Sequence, residues 1–264
     1  IVLEAEQAAE DGFVEVTLLG QNVNSYKTPK GGFANLLDKL AGVKGLKRIR
    51  YTSPHPSDFN DSLLKIMTKH KNICDYVHLP LQSGSNRILK MMNRTYTREE
   101  FIALVKKIRD YIPNCSISTD IIVGFPSETE NDFNDTLELL KEVKFNFAYM
   151  FKYSSRPGTK ASEFTDQISE EIKQKRLEKL IEIQKGITLK NYKNYIGSIQ
   201  EIIIEKKSKK SKNNWVGRTE GNVWTVIKDN GERIKDIVVV EITDAKGVTL
   251  FGKKIDKEKF YEVT

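Results

Sequence analysis

The regular alternation of helical and strand patterns over residues 1–153 constrains the fold of this chain more than any other feature. A helical pattern over residues 1–11 is followed by a strand pattern over 13–18, and the same order returns along the chain. Further strands are predicted at 48–52, 76–79, 116–123 and 147–153, and further helices at 33–40, 61–70, 86–92, 98–110 and 129–142. Five strands joined by helices predict an α/β fold with a parallel sheet.

Two architectures fit this order of elements: a (β/α) barrel, or part of one, and an open doubly wound sheet. No Gly-x-Gly-x-x-Gly follows the first strand, which weakens the dinucleotide-binding form of the open sheet. The barrel is therefore favoured. In a parallel barrel, functional groups lie in the loops that follow the C-terminal ends of the strands.

The sequence changes character after residue 153. A linker containing Pro157-Gly158 leads to a long charged helix over 169–195, whose apolar positions predict one buried stripe. Residues 198–255 then show short β-rich segments at close spacing, which is typical of a small antiparallel barrel of the oligonucleotide-binding type. The predicted division is a barrel portion at 1–168, a connecting helix at 169–196, a β-barrel at 197–256 and a tail at 257–264.

Composition restricts the class of protein. The net charge is +7, and residues 190–264 carry 16 basic against 11 acidic side chains, an excess that suits a nucleic-acid contact. No apolar run approaches the ~20 residues of a membrane helix, and no signal peptide is visible. Two cysteines argue against a disulfide scaffold, so we expect a cytoplasmic protein without membrane contact. Because the chain opens at Ile1 without a Met, we interpret that position as a cut inside a larger protein.

Polar loops rich in Pro and Gly follow each of the five predicted strands. Any one of them has an ordinary explanation as turn chemistry, but five at successive strand ends predict a ligand with many donors and acceptors. The loops span residues 20–25, 53–57, 80–85, 124–128 and 154–158.

At these loops the chain resembles the MiaB family of radical S-adenosylmethionine enzymes. Matching motifs occur in the family's order and spacing at residues 18–26, 51–56, 78–85, 120–129 and 155–159, and residues 217–222 resemble part of the family's TRAM domain. The resemblance implies a partial radical-SAM (β/α)6 barrel followed by a small all-β TRAM barrel. It also implies a parent enzyme that converts N6-isopentenyladenosine in tRNA to its 2-methylthio form.

The same resemblance implies S-adenosylmethionine and two [4Fe–4S] clusters as cofactors of the parent enzyme. Members bind one cluster through Cys-x-x-x-Cys-x-x-Cys and a second through three cysteines of an N-terminal domain, and this sequence contains neither set. Cys74 and Cys115 stand alone and cannot replace them. We therefore expect this chain to hold no metal, to bind S-adenosylmethionine weakly at most and to lack catalytic residues and activity by itself.

Several residues match positions where related enzymes hold the organic part of the cofactor. Arg94 follows Gln82 by twelve positions, the spacing of a carboxylate-binding arginine in related radical enzymes, and a guanidinium can bind a carboxylate with two hydrogen bonds. Asp120 lies in an apolar strand, where either ribose hydroxyls or a neighbouring strand's cation could satisfy it. Gly124 would allow the backbone to approach the adenine. Ser53 completes this set of candidates.

A basic run beside two tryptophans is the candidate RNA contact. The resemblance to a TRAM domain implies that tRNA is the partner, held by phosphate contacts and base stacking. Without the resemblance, such a run would be an ordinary solvated loop. The candidate residues are Lys206, Lys207, Lys209, Lys210 and Arg218.

Two other functions remain open from the sequence. A sister methylthiotransferase that modifies an aspartate of a ribosomal protein shares the fold and cofactor, although loops 20–24 and 53–56 look like the tRNA-directed branch. A non-catalytic RNA-binding protein on a barrel without cysteines is the alternative from another class. A complete family barrel also has six strands where five are predicted here, so strand 13–18 should have an open edge that promotes self-association.

Overall fold

The computed structural model describes residues 1–29, 31–52 and 54–256. Its first part follows the predicted alternation closely. The helices are α1 (Val2–Glu10), α2 (Phe33–Ala41), α3 (Asp61–Lys69), α4 (Asn86–Met91), α5 (Arg98–Tyr111) and α6 (Glu130–Val143). The strands are β1 (Glu15–Leu18), β2 (Lys27–Thr28), β3 (Gly31–Gly32), β4 (Arg48–Tyr51), β5 (Tyr76–His78), β6 (Ser116–Val123) and β7 (Phe147–Lys152).

The long strands lie side by side in chain order. β1 pairs in parallel with β4, and β5, β6 and β7 form a parallel three-stranded sheet. A bridge between Ile49 and Ile73 joins the two sheets. A doubly wound sheet would reverse its strand order at its centre, so the order found here is that of a singly wound barrel portion. The predicted fold class is confirmed, and the β2–β3 hairpin is an addition that the sequence did not indicate.

Side-chain caps explain where the helices begin. Thr97 and Thr129 open α5 and α6, and each forms a complete capping box with the acidic residue three positions later. Each helix turns its apolar side onto one face of the strands, where fully buried residues such as Leu37, Phe101 and Leu140 form a single core with Ile117. The other face of the strands, here called the inner face, is mostly polar because side chains alternate along a strand.

The second part is a closed barrel of five strands. They are β8 (Ile199–Lys207), β9 (Asn214–Thr219), β10 (Trp224–Lys228), β11 (Ile237–Lys246) and β12 (Thr249–Lys254). The order around the barrel is β10-β12-β11-β8-β9. The prediction of a wholly antiparallel barrel was wrong in one pairing, because β10 and β12 run parallel.

A single helix, α7 (Glu170–Lys193), joins the two parts. Of the predicted apolar stripe at Ile172, Leu177, Leu180, Ile181 and Ile183, only Leu180 is fully buried, and Ile172 is exposed. The buried positions of α7 are otherwise mostly polar. They are Lys173, Arg176, Gln184, Thr188 and Tyr192. The helix is therefore anchored by hydrogen bonds, such as that from Gln184 Nε2 to the carbonyl of Phe145 at 2.9 Å.

Two buried arginines on the inner face of β4 hold the small barrel against the large one. Arg48 donates to the backbone carbonyls of Arg218 (2.8 Å) and Glu201 (2.6 Å). Arg50 donates to the carbonyls of Glu220 (2.6 Å) and Thr219 (2.8 Å), and its Nε lies 3.0 Å from Glu15. Both side chains are less than 5% exposed. The C-terminal domain is thus docked through its main chain.

The open edge of β1 leads to the first prediction. Among the described residues, β1 pairs with a strand on one side only, and Phe13 and Leu19 beside it are exposed. Unpaired strand edges recruit other chains. We expect light scattering after size-exclusion chromatography to show a species heavier than the 30.2 kDa monomer, growing with concentration. A strictly monomeric chain whose β1 amides exchange as slowly as those of β6 would contradict this.

Candidate functional site

The loops at the C-terminal ends of the barrel strands contact one another, as a shared site requires. Asn24 Nδ2 donates to the carbonyl of His55 at 2.9 Å, and the amide of His55 donates back to Asn24 Oδ1 at 2.7 Å. Ser57 Oγ lies 3.0 Å from Thr95 Oγ1 in the turn after α4. Tyr96 Oη then donates to the carbonyls of the loop that follows β5. Three of the five polar loops, together with the turn after α4, are therefore held together at one end of the barrel.

Gln82 and Asp120 occupy neighbouring positions at this end. Gln82 is buried and has a φ of 71°, a left-handed conformation that is unusual for a residue other than glycine. Its amide donates to the carbonyl of Asp120 at 2.8 Å, which extends the sheet by one bridge. The carboxylate of Asp120 lies 3.1 Å from His78 Nε2 on the adjacent strand. The neighbouring-strand partner considered for Asp120 is therefore present, while Asp120 Oδ1 has no side-chain partner within the described part of the chain.

Arg94 lies in the turn after α4 and is partly buried. Its backbone amide is bonded to the carbonyl of Leu89 at 2.9 Å. Its Nε atom is buried and has no hydrogen-bond partner among the described residues. Buried donors are nearly always satisfied, so an unpaired guanidinium N–H indicates a missing acceptor. A ligand carboxylate has the charge and geometry to fill that place.

Gly124 follows β6 with a φ of 72° and faces α7. A Cβ built there would lie 2.3 Å from Lys173 Cγ, so the helix leaves no room for a side chain. The Gly124 amide donates to Glu128 Oε2 at 2.6 Å, and Arg176 Nη1 binds the same oxygen at 2.7 Å. Burial raises the pKa of the Glu128 carboxyl, although the Gly124 amide and Arg176 partly offset this. The glycine is therefore required first by the contact with α7.

A buried carboxylate fixes the loop that follows β5. Asp132 on α6 accepts from Ser85 Oγ at 2.6 Å and forms an ion pair with Arg87. Arg87 also donates to the carbonyl of Ser127 at 2.6 Å, so one pair joins the loops after β5 and β6. Burial raises the pKa of Asp132, but hydrogen bonds from Arg87, Ser85 and Thr129 outweigh it and hold the pKa well below its usual range.

The lowered pKa of Asp132 gives a stability prediction with a definite pH dependence. We expect Asp132→Asn to lower the free energy of unfolding by about 1–3 kcal/mol at neutral pH, since hydrogen bonds to a charged group are lost. A carboxyl with a depressed folded-state pKa stabilises the protein above its unfolded pKa of about 3.9 and loses that contribution as pH falls through the folded value. The difference between the urea titrations of variant and wild type should therefore begin to shrink below about pH 4 and vanish only below the folded-state pKa.

The matched control for this prediction is Glu138→Gln on the exposed side of the same helix. It removes one carboxylate from a position without an ion pair among the described residues. A difference between wild type and Asp132→Asn that stays constant from neutral to acidic pH would contradict the assignment.

Ser53 lies outside the described residues, so its predicted role stays a prediction. The two cysteines are both free and buried. Burial raises the pKa of the Cys74 thiol to about 12 and raises that of Cys115 as well. Among residues 1–29, 31–52 and 54–256, no group of three His, Cys, Asp or Glu side chains could hold a metal ion. The part of the chain described also contains no helix long and apolar enough to cross a bilayer.

Two of the basic candidates of the small barrel each lie over a tryptophan ring, the half-buried Trp224 and the buried Trp215. Lys206 Nζ lies 4.1 Å from the centre of the Trp224 ring, and Lys207 Nζ lies 3.7 Å from that of Trp215. Both lysines belong to β8, so the prediction that they lie between two strands was wrong. The strand continues past a bulge between Ile204 and Lys206. Lys209 and Lys210 are exposed in the loop that follows.

The charge of Lys207 is compensated by an ion pair with Asp229, and Arg218 is compensated further. It forms an ion pair with Glu205 and a second, 3.4 Å long, with Glu15 of the large barrel. Its guanidinium lies 5.3 Å from the Trp224 ring centre. A phosphate would have to compete with both carboxylates, so Arg218 is the weakest of the five RNA candidates.

Sequence reasoning missed the groups that support the site. These groups are the buried charged residues Glu128, Asp132 and Arg176. Their ion-pair partners lie 45 or more positions away in the chain, since Glu128 pairs with Arg176 and Asp132 pairs with Arg87. The Asp of a Thr-x-x-Asp capping box at the start of α6 was the one local signal for Asp132. The hydrogen bonds from Arg48 and Arg50 to the small barrel could not be predicted, because the only local signal was the presence of two charged residues in a strand.

The matches to known protein families divide the chain into the same two parts, the large barrel and the small barrel. The model of the radical SAM superfamily matches residues 1–140, and that of the TRAM domain matches residues 193–255. The tRNA-2-methylthio-N(6)-dimethylallyladenosine synthase of Carboxydothermus hydrogenoformans is 47% identical over 255 residues, covering 96% of this chain and 58% of that protein. The protein of the same name from Chloroherpeton thalassium is 45% identical over 258 residues, covering 97% of this chain and 57% of that protein.

The chain therefore spans little more than half the length of these curated relatives. Among solved structures, coproporphyrinogen III oxidase from Escherichia coli, described as a radical SAM enzyme, aligns with a TM-score of 0.57 at 18% identity. The alignment covers 70% of this chain and 44% of that one, and at this identity it bears on the fold alone. From its strand order, its loop geometry and the match over residues 1–140, this chain belongs to the radical SAM superfamily and continues into a TRAM domain.

Proposed function

We propose that this chain forms the barrel and RNA-binding portion of a tRNA-2-methylthio-N6-dimethylallyladenosine synthase. Such an enzyme transfers a methylthio group to C2 of the modified adenosine by radical chemistry. The observation that carries the proposal is the buried Nε of Arg94, which has no partner among the described residues and lies beside the polar strand ends. The relatives that match nearly the whole of this chain have this name. The reaction and its substrate are assigned to the whole protein.

The residues at the strand ends fit the organic part of S-adenosylmethionine. Arg94 would bind the carboxylate, and the free oxygen of Asp120 would accept from ribose hydroxyls. Gln82 offers an amide in a fixed left-handed turn. Gly124 would bring the backbone and the buried Phe125 ring near the adenine. When bound, S-adenosylmethionine supplies radical chemistry; these side chains orient it.

The described residues do not fit an iron–sulfur cluster. Cys74 and Cys115 are single, buried thiols with raised pKa values, whereas cluster ligation needs grouped thiolates. The family resemblance implies two clusters. The cysteines that bind them would therefore come from residues outside this sequence.

We further propose that tRNA is the partner and the cytoplasm the compartment. The exposed lysines and the half-buried Trp224 support an RNA contact, because cations track phosphates and aromatic rings stack on bases. Trp215 lies in the core of the small barrel and is not available for stacking. The alternative modification of a ribosomal-protein aspartate has less support, since both relatives described above are named for the tRNA reaction.

The reading frame upstream of the Ile1 codon tests the enzyme against the non-catalytic alternative. The proposal expects Cys-x-x-x-Cys-x-x-Cys shortly before Ile1, in frame. A start codon directly before Ile1 with no cysteines upstream would instead support an RNA-binding protein that has no radical chemistry.

We expect the 264-residue chain to bind no iron. After anaerobic reconstitution with iron and sulfide, metal analysis is expected to give far less than one iron per chain, since the two cysteines are separated and buried. The protein of the complete reading frame, treated in parallel, is the positive control. Close to four irons per chain in the 264-residue protein would overturn this expectation.

A further inference from the structure

Three aromatic side chains lie in a row along the inner face of β7. Ala148 and Met150 of this strand pack on the core of the large barrel, so the residues that alternate with them lie on the inner face. These are Phe147, Tyr149 and Phe151, here called the aromatic strip. Tyr149 is 46% exposed and Phe151 is 51% exposed. The strip is therefore an open apolar surface inside the barrel.

Such exposure is unusual for the aromatic rings of this protein. Three of them are exposed within residues 1–29, 31–52 and 54–256, and two of the three belong to the aromatic strip. The Tyr149 ring is held in place, because it lies edge to face with the rings of Phe147 at 5.0 Å and His78 at 5.7 Å. Exposed apolar groups that form a patch, rather than lying singly on a surface, mark a binding site.

The polar side chains beside the strip are bonded to one another. Tyr76 Oη lies 2.7 Å from Ser118 Oγ, and Ser118 Oγ lies 2.8 Å from His78 Nδ1. His78 Nε2 in turn lies 3.1 Å from Asp120 Oδ2. Asp120 is also the direct neighbour of Tyr149 in the pairing of β6 with β7. A ligand on the strip would therefore meet aromatic rings and, at their side, the remaining oxygen of one carboxylate.

The TRAM domain closes the other end of the inner face. A Cβ on Gly221 would lie 3.2 Å from Ser116 Cβ at the start of β6, and Arg50 donates to the carbonyl of Glu220 beside it. Ser116 is buried at this contact, whereas two rings of the aromatic strip stay exposed. The open part of the inner face thus lies between the TRAM domain and the strand ends that carry the candidate cofactor residues.

We propose that Tyr149 and Phe151 bind the target base of the tRNA, an adenine with an N6-dimethylallyl group, and select it through that group. The identity of this base rests on the proposed function. Enzymes that modify a base take it out of its stack and hold it against aromatic or apolar side chains. The open part of the inner face is where a base from an RNA on the TRAM domain would meet the candidate cofactor residues. Ring stacking accepts any base, and the dimethylallyl group adds apolar surface that an unmodified adenine lacks.

Two other occupants compete with the target base. One is the adenine of S-adenosylmethionine, but Gly124 and the buried Phe125 already offer it a position in the loop after β6. The other is a second copy of this chain, since β7, like β1, pairs on one side only among the described residues. Competition with S-adenosylmethionine and light scattering distinguish these occupants from the target base.

The experiment is saturation-transfer NMR and titration of the whole 264-residue chain with free N6-dimethylallyladenosine and with adenosine. Free nucleosides carry no phosphate for the lysines of the small barrel, and binding requires neither a cluster nor turnover. We expect N6-dimethylallyladenosine to bind about tenfold or more tightly than adenosine, because its substituent is buried on the strip. If this binding is intact but the complete protein does not methylthiolate tRNA, the proposed function fails and the assignment of the strip does not.

Variants assign the binding to the two exposed rings. Tyr149→Ala and Phe151→Ala should each weaken binding of N6-dimethylallyladenosine about tenfold, and Tyr149→Phe, which keeps the ring, should stay within about twofold of wild type. Phe13→Ala is the matched control, since Phe13 is the third exposed ring, 47% exposed and beside β1. It should bind as wild type does. Circular dichroism checks that each variant is folded.

Several results would overturn the proposal. No detectable binding to wild type, or equal binding of the two nucleosides, is enough. Unchanged affinity in folded Tyr149→Ala and Phe151→Ala proteins would do the same, and a loss of the heavier species in light scattering would then assign the strip to a contact between copies. Displacement of the nucleoside by S-adenosylmethionine would assign the strip to the adenine of the cofactor instead.

Discussion

Replacing Arg50 with alanine should cost about 3–5 kcal/mol of folding free energy, the usual effect of removing one partner from a buried ion pair. The side chain is 3% exposed and satisfies Glu15 and the carbonyls of Thr219 and Glu220 at once. Its loss removes a donor from each of them; Glu15 keeps Arg218 and the Thr219 carbonyl keeps the Asn222 amide, so the Glu220 carbonyl is affected most. Because those carbonyls belong to the TRAM domain, the two barrels should separate before either one unfolds. A urea titration followed by tryptophan fluorescence, which reports on the TRAM domain alone, should therefore differ from one followed by circular dichroism.

Two further variants make this result specific. Arg50→Lys keeps the charge but not the fork of donors, so most of the loss should remain. Arg233→Ala removes an exposed arginine of the TRAM domain and should change the unfolding free energy by less than about 0.5 kcal/mol. Coincident transitions in Arg50→Ala, with a loss below about 1 kcal/mol, would show that the docking does not depend on this residue.

Replacing Lys206, Lys207, Lys209 and Lys210 together with alanine should sharply weaken tRNA binding. The four lysines are exposed at the end of β8 and in the loop that follows, where they can replace counterions on phosphates. Each lost phosphate contact should reduce the slope of log affinity against log salt by about 0.7–0.9. The loss should be similar for different tRNA sequences, since phosphate contacts carry no sequence information. Filter binding over a series of salt concentrations measures both quantities.

The control for the lysine variant must remove the same charge elsewhere. Lys65, Lys90, Lys106 and Lys141 are exposed lysines on the helices of the large barrel, and their joint replacement by alanine lowers the net charge equally. Only the first set should flatten the salt dependence. If both sets weaken binding by the same factor, the contact depends on overall charge and not on the surface beside Trp215 and Trp224.

The elements could be predicted from the sequence because their signals are local. The strand over 116–123 and the helix that begins after Thr97 have the predicted bounds to within one residue, since β-branched residues and a capping box mark them directly. The stripe predicted for α7 is confirmed at Leu177, Leu180 and Ile183, which pack on the core of the large barrel, but not at Ile172, which is exposed. The remaining buried positions of this helix are set by tertiary partners. Lys173 and Arg176 are buried there by Gly124 and Glu128, which no periodicity in the helix reveals.

The candidate site was likewise predicted only in part from the sequence. Gln82, Asp120 and Gly124 were found from strand-end loops and a family resemblance, and the structure places them at one end of the barrel. The hydrogen bonds that join Tyr76, Ser118, His78 and Asp120 could not be predicted, because these residues come from two strands that are about 40 positions apart in the chain. Tyr76 and Ser118 look like ordinary strand residues in the sequence.

The most direct test of the account is the nucleoside content of tRNA in cells. The complete reading frame that contains this sequence should be expressed in a bacterium that lacks its own tRNA methylthiotransferase, followed by mass spectrometry of digested tRNA. The account predicts 2-methylthio-N6-dimethylallyladenosine with the wild-type gene, and its N6-dimethylallyl precursor alone with Arg94→Ala at equal protein levels. Precursor alone with a folded wild-type protein, or full methylthiolation with Arg94→Ala, would contradict it.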